Sequence, residues 1–265
     1  MSTVENTSTK KEETEAVLRQ QIEMLEQQLL QAQKMTALGE LVGTTTHEFN
    51  NILMTVLNYA KIGMRHRDDK TRDKAFDKIL TASQRAARIT NAVLGMARNR
   101  ADVIEPTDLS KIIDDALILL ERELTKYRIS LDTTIDSTPE TLCNGNQIQQ
   151  VLLNLLTNAR QAMETGGTIW LKLHFDASQQ MNVLSIRDSG CGIPQEQLPK
   201  ILDPFYSTKD GPDDSGKGGT GLGLASCHKI IEEHQGRIKI ESAVGVGTQF
   251  TILLPIAEEN TIEAA

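Results

Sequence analysis

Residues 33–60 read QKMTALGELVGTTTHEFNNILMTVLNYA, and the spacing of their apolar side chains decides how the first part of the chain folds. Met35, Leu38, Val42, Thr45, Phe49, Ile52, Val56 and Tyr59 follow one another in alternating steps of three and four, which lines them up on one stripe of an α-helix. After the polar break HRDDKTRDK a second stripe appears at Ala75, Ile79, Ala82, Ala86, Ile89, Val93 and Met96. Two striped helices joined by a short polar loop predict an antiparallel hairpin over residues 34–100. A lone hairpin leaves apolar surface in water, so the pattern also predicts a four-helix bundle made from two copies of the chain, a homodimer. Working towards the N-terminus, Leu18, Ile22, Leu25 and Leu29 keep the same rhythm before a phase slip near Ala32, predicting a coiled-coil segment over 15–33. Residues 1–14 are polar and without period, the composition of a disordered start.

Towards the C-terminus the pattern changes. Residues 101–107 contain Pro106 and are expected as a linker. Beyond it, helix-like stretches (109–125, 146–164, 221–234) alternate with strand-like ones (128–134, 168–175, 182–188, 237–242, 248–254), which predicts an α/β layered domain over 108–256. The run KDGPDDSGKGG, starting at Lys209, has no apolar anchor and reads as a mobile loop; 257–265 is a polar, flexible tail. The fold class is therefore α followed by α/β.

Composition excludes some functions. With 28 Lys and Arg against 36 Asp and Glu, net charge −8, the chain lacks the cationic excess that a nucleic-acid partner requires. Cys143, Cys191 and Cys227 are the only cysteines. Their spacing matches neither a metal site nor a redox pair, so they are expected as free thiols in a reducing, cytoplasmic setting. No run of about 18 apolar residues occurs, so no membrane span or signal peptide is expected.

Several polar residues stand out against this background. His47 lies two positions from both Thr45 and Phe49, so its side chain points away from the stripe; Glu48 is its neighbour and Asn51 lies one turn on. Taken alone, this is either a reactive site or a solvated helix face. In QVLLNLLTNARQAM (150–163), Asn154 and Asn158 sit one turn apart on a leucine-rich helix, as ligand-binding amides or as side chains bonded to backbone. DSGCGIP (188–194) is a turn after a strand in which Gly190 and Gly192 allow close backbone approach. GGTGLGL (218–224) leads into a helix and can present backbone N–H groups to an anion, though it also reads as a plain loop.

Taken in order, these segments resemble the sensor histidine kinases of two-component signalling, in the nitrogen-regulator-like branch whose histidine box begins His-Glu-Phe-Asn-Asn. The correspondence runs across residues 34–255: histidine box, N box (150–163), G1 (188–194), F box PFYSTK (204–209), G2 (218–224) and the final glycine box GVGTQFTILLP (245–255). It implies that the α/β domain is an ATP-binding sandwich of the Bergerat or GHKL type, using ATP and Mg²⁺. His47 is implied as the phosphorylated residue, Glu48 as the acid that orients or deprotonates it, and Asn51 as the residue that positions water to dephosphorylate a response regulator. The resemblance further gives Asn154 a place near the phosphates, Asn158 the role of Mg²⁺ ligand, and Asp188 a hydrogen bond from the adenine amino group. Phe205 is implied in hinging the ATP lid, Lys209 in reaching the phosphates, Gly219, Gly221, Leu222 and Gly223 in cradling them, and Thr248 in touching the adenine pocket.

The implied partners are a second copy, a response-regulator receiver domain and an upstream sensor protein. The chain departs from the pattern at Thr44, Thr45 and Thr46, where small or apolar residues are usual, and at Asn146, where many relatives carry an acid. His66, His174, His228 and His234 match no acceptor pattern and are expected as surface or structural residues. Two rival readings remain at this stage. One is a nucleotide-binding scaffold or pure phosphatase; the other is a clamp ATPase or serine kinase of the same fold, against which the histidine-bearing hairpin argues.

Overall fold

The computed structural model describes residues 49–97, 103–207 and 221–257 together with Leu18, Gln21 and Met24; for 91–97 it describes backbone only. The expected disordered start, most of the coiled coil, Thr44 to Thr46, His47, Glu48, Lys209, Gly219 and the glycine-rich loop lie outside the described residues, as does the tail from 258. Leu18, Gln21 and Met24 are helical.

Residues 49–65 form helix α1, and α2 spans Asp69–Ala97. The turn between them is closed by Asp68, whose carboxylate accepts from the Thr71 N–H at 2.8 Å. Ile52, Ala82 and Ile89 are buried together, with Phe49, Val56 and Ala86 packed against them, and Ala75 is 1% exposed. The stripes read from sequence are therefore the surfaces that join the hairpin's own two helices. A neighbouring stripe stays in water: Leu53, Leu57 and Met64 on α1, Phe76 and Leu80 on α2.

The segment expected as a linker ends differently. Residues 105–107 are strand β1 (Glu105–Thr107), paired antiparallel with β3 (Thr141–Cys143), so the expected linker 101–107 is corrected at its C-terminal end: Pro106 sits in a two-stranded sheet, where its missing N–H is tolerated. Helix α3 (Leu109–Lys126) follows, capped by Asp108, whose Oδ1 accepts from the Ser110 N–H at 2.9 Å. Ile118 of α3 packs on the hairpin's apolar cluster.

The main sheet has the order β2-β4-β5-β7-β6: Ile129–Ile135, Gly167–Asp176, Met181–Asp188, Gly247–Pro255 and Arg237–Ala243. Only the β2–β4 pair is parallel. Period-two alternation puts Ile169, Leu171 and Leu173, Leu184 and Ile186, Phe250 and Ile252 on one face, all buried. Against the sheet lie α3 on β2, α4 (Gly145–Gln161) on β5, and α5 (Gly223–Glu233) on β6. Helix α4 is apolar over most of its circumference; Ile148, Val151, Leu152, Leu155 and Leu156 are at most 1% exposed, each stabilising the fold by about 1.5–3 kcal/mol relative to an exposed side chain. Its N-cap is Asn144, whose Oδ1 accepts from the N–H groups of Asn146 and Gln147.

Candidate functional site

The polar residues of α4 interrupt an otherwise apolar helix, so the fold must give them partners or hold them ready for one. Asn154 is half-buried and its amide donates to the Gly223 carbonyl at 3.4 Å, which ties α4 to the start of α5. Asn158, one turn on, is also half-buried. Its side chain makes no hydrogen bond among the described residues, and its backbone carbonyl accepts from the Ala162 N–H. The two asparagines therefore differ: one joins two elements, while the other has an amide that no described residue engages. No cluster of three or more His, Cys, Asp or Glu that could hold a metal occurs among the described residues. A cation here would rely on the Asn158 amide oxygen together with oxygens brought by its ligand, a donor set suited to a hard ion such as Mg²⁺.

At the end of β5, Asp188 is 4% exposed. Its Oδ1 accepts from the Gly190 N–H at 2.8 Å and from the Thr248 N–H at 3.2 Å, leaving Oδ2 without a partner among the described residues. Burial pushes the carboxyl above its usual range, while the N–H groups of Gly190 and Thr248 and the charge of Arg187 pull it down. The turn that follows is tightly bound on both sides: the Cys191 N–H donates to the Ala162 carbonyl at 3.1 Å, and the Gly245 N–H to the Cys191 carbonyl at 2.8 Å. Gly192 has φ +71°, and a Cβ there would stand 2.1 Å from the Ala243 carbonyl oxygen. Only glycine satisfies both conditions.

Gly221, at φ +67°, backs directly onto the Phe205 backbone, 2.4 Å from where a Cβ would fall, so the F and G2 segments meet. Phe205 itself is 70% exposed at φ 67°. Leu222 is buried and precedes α5 without a side-chain cap, so the first N–H groups of the helix are not taken by its own cap residue. Thr248 is 4% exposed and lies beside Ser242, with 2.9 Å between their hydroxyl oxygens. Hydrogen bonds thus link Asn154 to Gly223, the 188–192 turn to Ala162 at the end of α4, and Asp188 to Thr248. Asn51 is exposed on α1, and among the described residues no hydrogen bond joins it to this group.

Two residues that sequence reasoning assigned no role in the site have defined ones. The Ser242 hydroxyl joins the turn after Asp188 to β7, and His234 joins α5 to the N-cap of α4. A serine in an alternating strand and a histidine at a helix end carry no signal of their own. The other histidines match expectation: His66 and His228 stand beside Asp68 and Glu232 at the surface, and His174 is exposed.

Comparison with known proteins bears on both parts of the chain. Residues 37–102 match the family model for the His Kinase A (phospho-acceptor) domain, and residues 143–258 the model for the histidine kinase-, DNA gyrase B- and HSP90-like ATPase. Sporulation kinase C of Bacillus subtilis is 32% identical over 241 residues, 90% of this chain and 54% of that protein. Sensor kinase CckA of Brucella abortus is 35% identical over 259 residues, 91% of this chain and 27% of that protein. The chain thus spans about half, or less, of the length of these curated relatives. Among solved structures, the catalytic domain of histidine kinase ThkA is 31% identical with a TM-score of 0.50, covering 57% of this chain and 97% of that one. The mycobacterial sensor histidine kinase MprB is 26% identical with a TM-score of 0.50, covering 58% and 97%.

Proposed function

The chain belongs to the sensor histidine kinases of two-component signalling, and from that membership we propose that it transfers the γ-phosphoryl group of ATP to its own His47 and then to an aspartate of a response regulator. The observation that carries the reading is that hydrogen bonds tie the helix bearing Asn154 and Asn158 to two segments far apart in sequence, from Asn154 to Gly223 and from Ala162, at the end of that helix, to Cys191 of the 188–192 turn. In this reading Asp188 receives the adenine amino group on Oδ2, and the glycine-lined start of α5 faces the phosphates. Lys209 and Gly219 are assigned to the phosphates and Phe205 to the lid by resemblance alone. Asn158 would hold Mg²⁺ through its amide oxygen, and the ion would supply neutralisation of phosphate charge.

Phosphorylation of His47 forms a nitrogen–phosphorus bond on the free imidazole nitrogen as the bond to the β-phosphate oxygen breaks. ADP leaves with the electron pair, and Glu48 accepts the proton of the other ring nitrogen or shares it. Asn51, exposed one turn after His47, suits a second activity, the positioning of water for dephosphorylation of the regulator. The exposed stripe of Leu53, Leu57, Met64, Phe76 and Leu80 supports a second copy as the partner that completes a four-helix bundle. Placement in the nitrogen-regulator-like branch rests on residues 47–51. Among the described residues no helix is long and apolar enough to cross a membrane. A cytoplasmic setting, with the signal delivered by an upstream sensor protein, fits ATP chemistry and three free thiols.

The test is labelling with γ-labelled ATP in the unaltered chain, in His47→Gln and in Asn158→Ala. The expected outcome is acid-labile, base-stable label in the unaltered chain and none in either variant. Label retained by His47→Gln overturns the acceptor assignment. Acid-stable label would point to a hydroxyl acceptor and to the serine-kinase reading.

A further inference from the structure

Asp188, Thr248 and Ser242 occupy adjacent strands on the helix-covered face of the sheet. Thr248 pairs with Ser242 across β7 and β6, and Asp188 follows the Arg187↔Gln249 pair by one residue, opposite Thr248. Cross-strand neighbours on one face are in side-chain reach of each other. The Ser242 hydroxyl oxygen has three polar neighbours: the Ile193 N–H at 2.7 Å, the Gly247 carbonyl at 3.0 Å and the Thr248 hydroxyl at 2.9 Å.

A serine hydroxyl has one proton to donate and two lone pairs to accept with. The Gly247 carbonyl can only accept, so the Ser242 proton goes there. The Ile193 N–H can only donate, so it takes one lone pair. The remaining lone pair must receive the proton of Thr248. The hydroxyl proton of Thr248 is therefore held by Ser242, and what Thr248 Oγ1 keeps for any other neighbour is accepting capacity. The Asp188 carboxylate, which accepts from the Thr248 N–H through Oδ1, also keeps Oδ2 as an acceptor with no partner among the described residues.

Resting on the nucleotide-site reading above, we propose that Ser242 is a specificity-determining positioning residue: by holding the Thr248 proton it makes Thr248 an acceptor beside the Asp188 carboxylate, so that the pocket admits a purine with an exocyclic amine at its 6-position and rejects one with a carbonyl there. An amine carries two protons and meets two acceptors. A 6-oxo purine sets its own acceptor against both, and an unmatched buried polar group is costly. Ser242 touches no base. It acts through Thr248, and at the same time it anchors the turn that carries Gly190 and Gly192 to β7.

The experiment measures binding of ADP and of inosine diphosphate, each with Mg²⁺, to the full chain and its variants. In Ser242→Ala the Thr248 hydroxyl is free to rotate and donate, and the preference for ADP over inosine diphosphate is expected to narrow about fivefold, the equivalent of one hydrogen bond. Ser242→Thr, which keeps the hydroxyl, should retain the original ratio. Thr248→Val should narrow the ratio by itself, and adding Ser242→Ala to it should change the ratio no further. Equal weakening of both nucleotides in Ser242→Ala, or further narrowing in the Thr248→Val background, overturns the proposal. Should Ser242→Ala fail to fold, the Ser242→Thr and Thr248→Val ratios decide it, since an altered ratio in the first or an unaltered one in the second overturns it. Failure of the unaltered chain to bind ADP would instead overturn the nucleotide-site reading itself, and the proposal with it.

Discussion

Replacing His234 by leucine isolates a single buried hydrogen bond, and the structure sets its cost. The ring is 4% exposed. Its Nδ1 lies 2.7 Å from the Ile230 carbonyl, which can only accept, so Nδ1 carries the proton. Nε2 is then bare and accepts from the Asn144 N–H at 2.9 Å, at the N-cap of α4. Leucine keeps most of the side-chain volume and removes both bonds, but the two losses are unequal. The Ile230 carbonyl retains the backbone N–H of residue 234 at 3.2 Å, whereas the Asn144 N–H, in a residue 6% exposed, is left with nothing. One orphaned buried donor costs about 1–3 kcal/mol. At ~2–4 °C per kcal/mol for domains of about 150–250 residues, the melting temperature of the full chain, followed by circular dichroism, should fall by roughly 4–8 °C at the middle of that range. His234→Gln can offer a carbonyl oxygen to Asn144 and should recover at least half of the loss. A fall below about 1 °C for leucine, or equal falls for leucine and glutamine, would refute the assignment of the proton.

Two more outcomes follow from the site. Burial raises the carboxyl pKa of Asp188, so acidification should protonate it before ordinary carboxylates and weaken ADP binding as the pH falls through the raised value; Asp188→Asn should bind weakly with a flat profile, and a pH dependence unchanged in that variant would exclude Asp188 as its source. For stability the sign is opposite: folding favours the protonated form, so this group's contribution is complete below the unfolded pKa and is lost as the pH rises through the folded one. Burial holds the thiol of Cys143 up at about 11 and that of Cys227 up at about 12, while Cys191 is exposed. A thiol reagent at pH 8 should therefore modify Cys191 alone in the native chain and all three cysteines after unfolding; rapid native labelling of Cys143 or Cys227 would contradict the packing around them.

Periodicity by itself determined the elements. Steps of three and four placed Ile52, Val56, Ala75, Ala82 and Ile89 on the hairpin's closing surface, and alternation located the five strands of the main sheet to within a residue or two, because burial of one face acts along a few turns of continuous chain. The order of the glycine and asparagine segments likewise carried the resemblance to the kinases. Strands β1 and β3 escaped notice, since three residues around a proline leave no period to read. Tertiary structure alone decided the partnerships: that Asn154 bonds Gly223 while Asn158 makes no side-chain bond among the described residues, that Asp188 accepts from Thr248, that Ser242 holds a hydroxyl proton, and that Asn144 and His234, 90 residues apart, share a bond. Such pairings depend on sheet register and on the approach of elements distant in sequence, and a hydrogen bond's direction depends on every neighbour at once, so no local pattern encodes them.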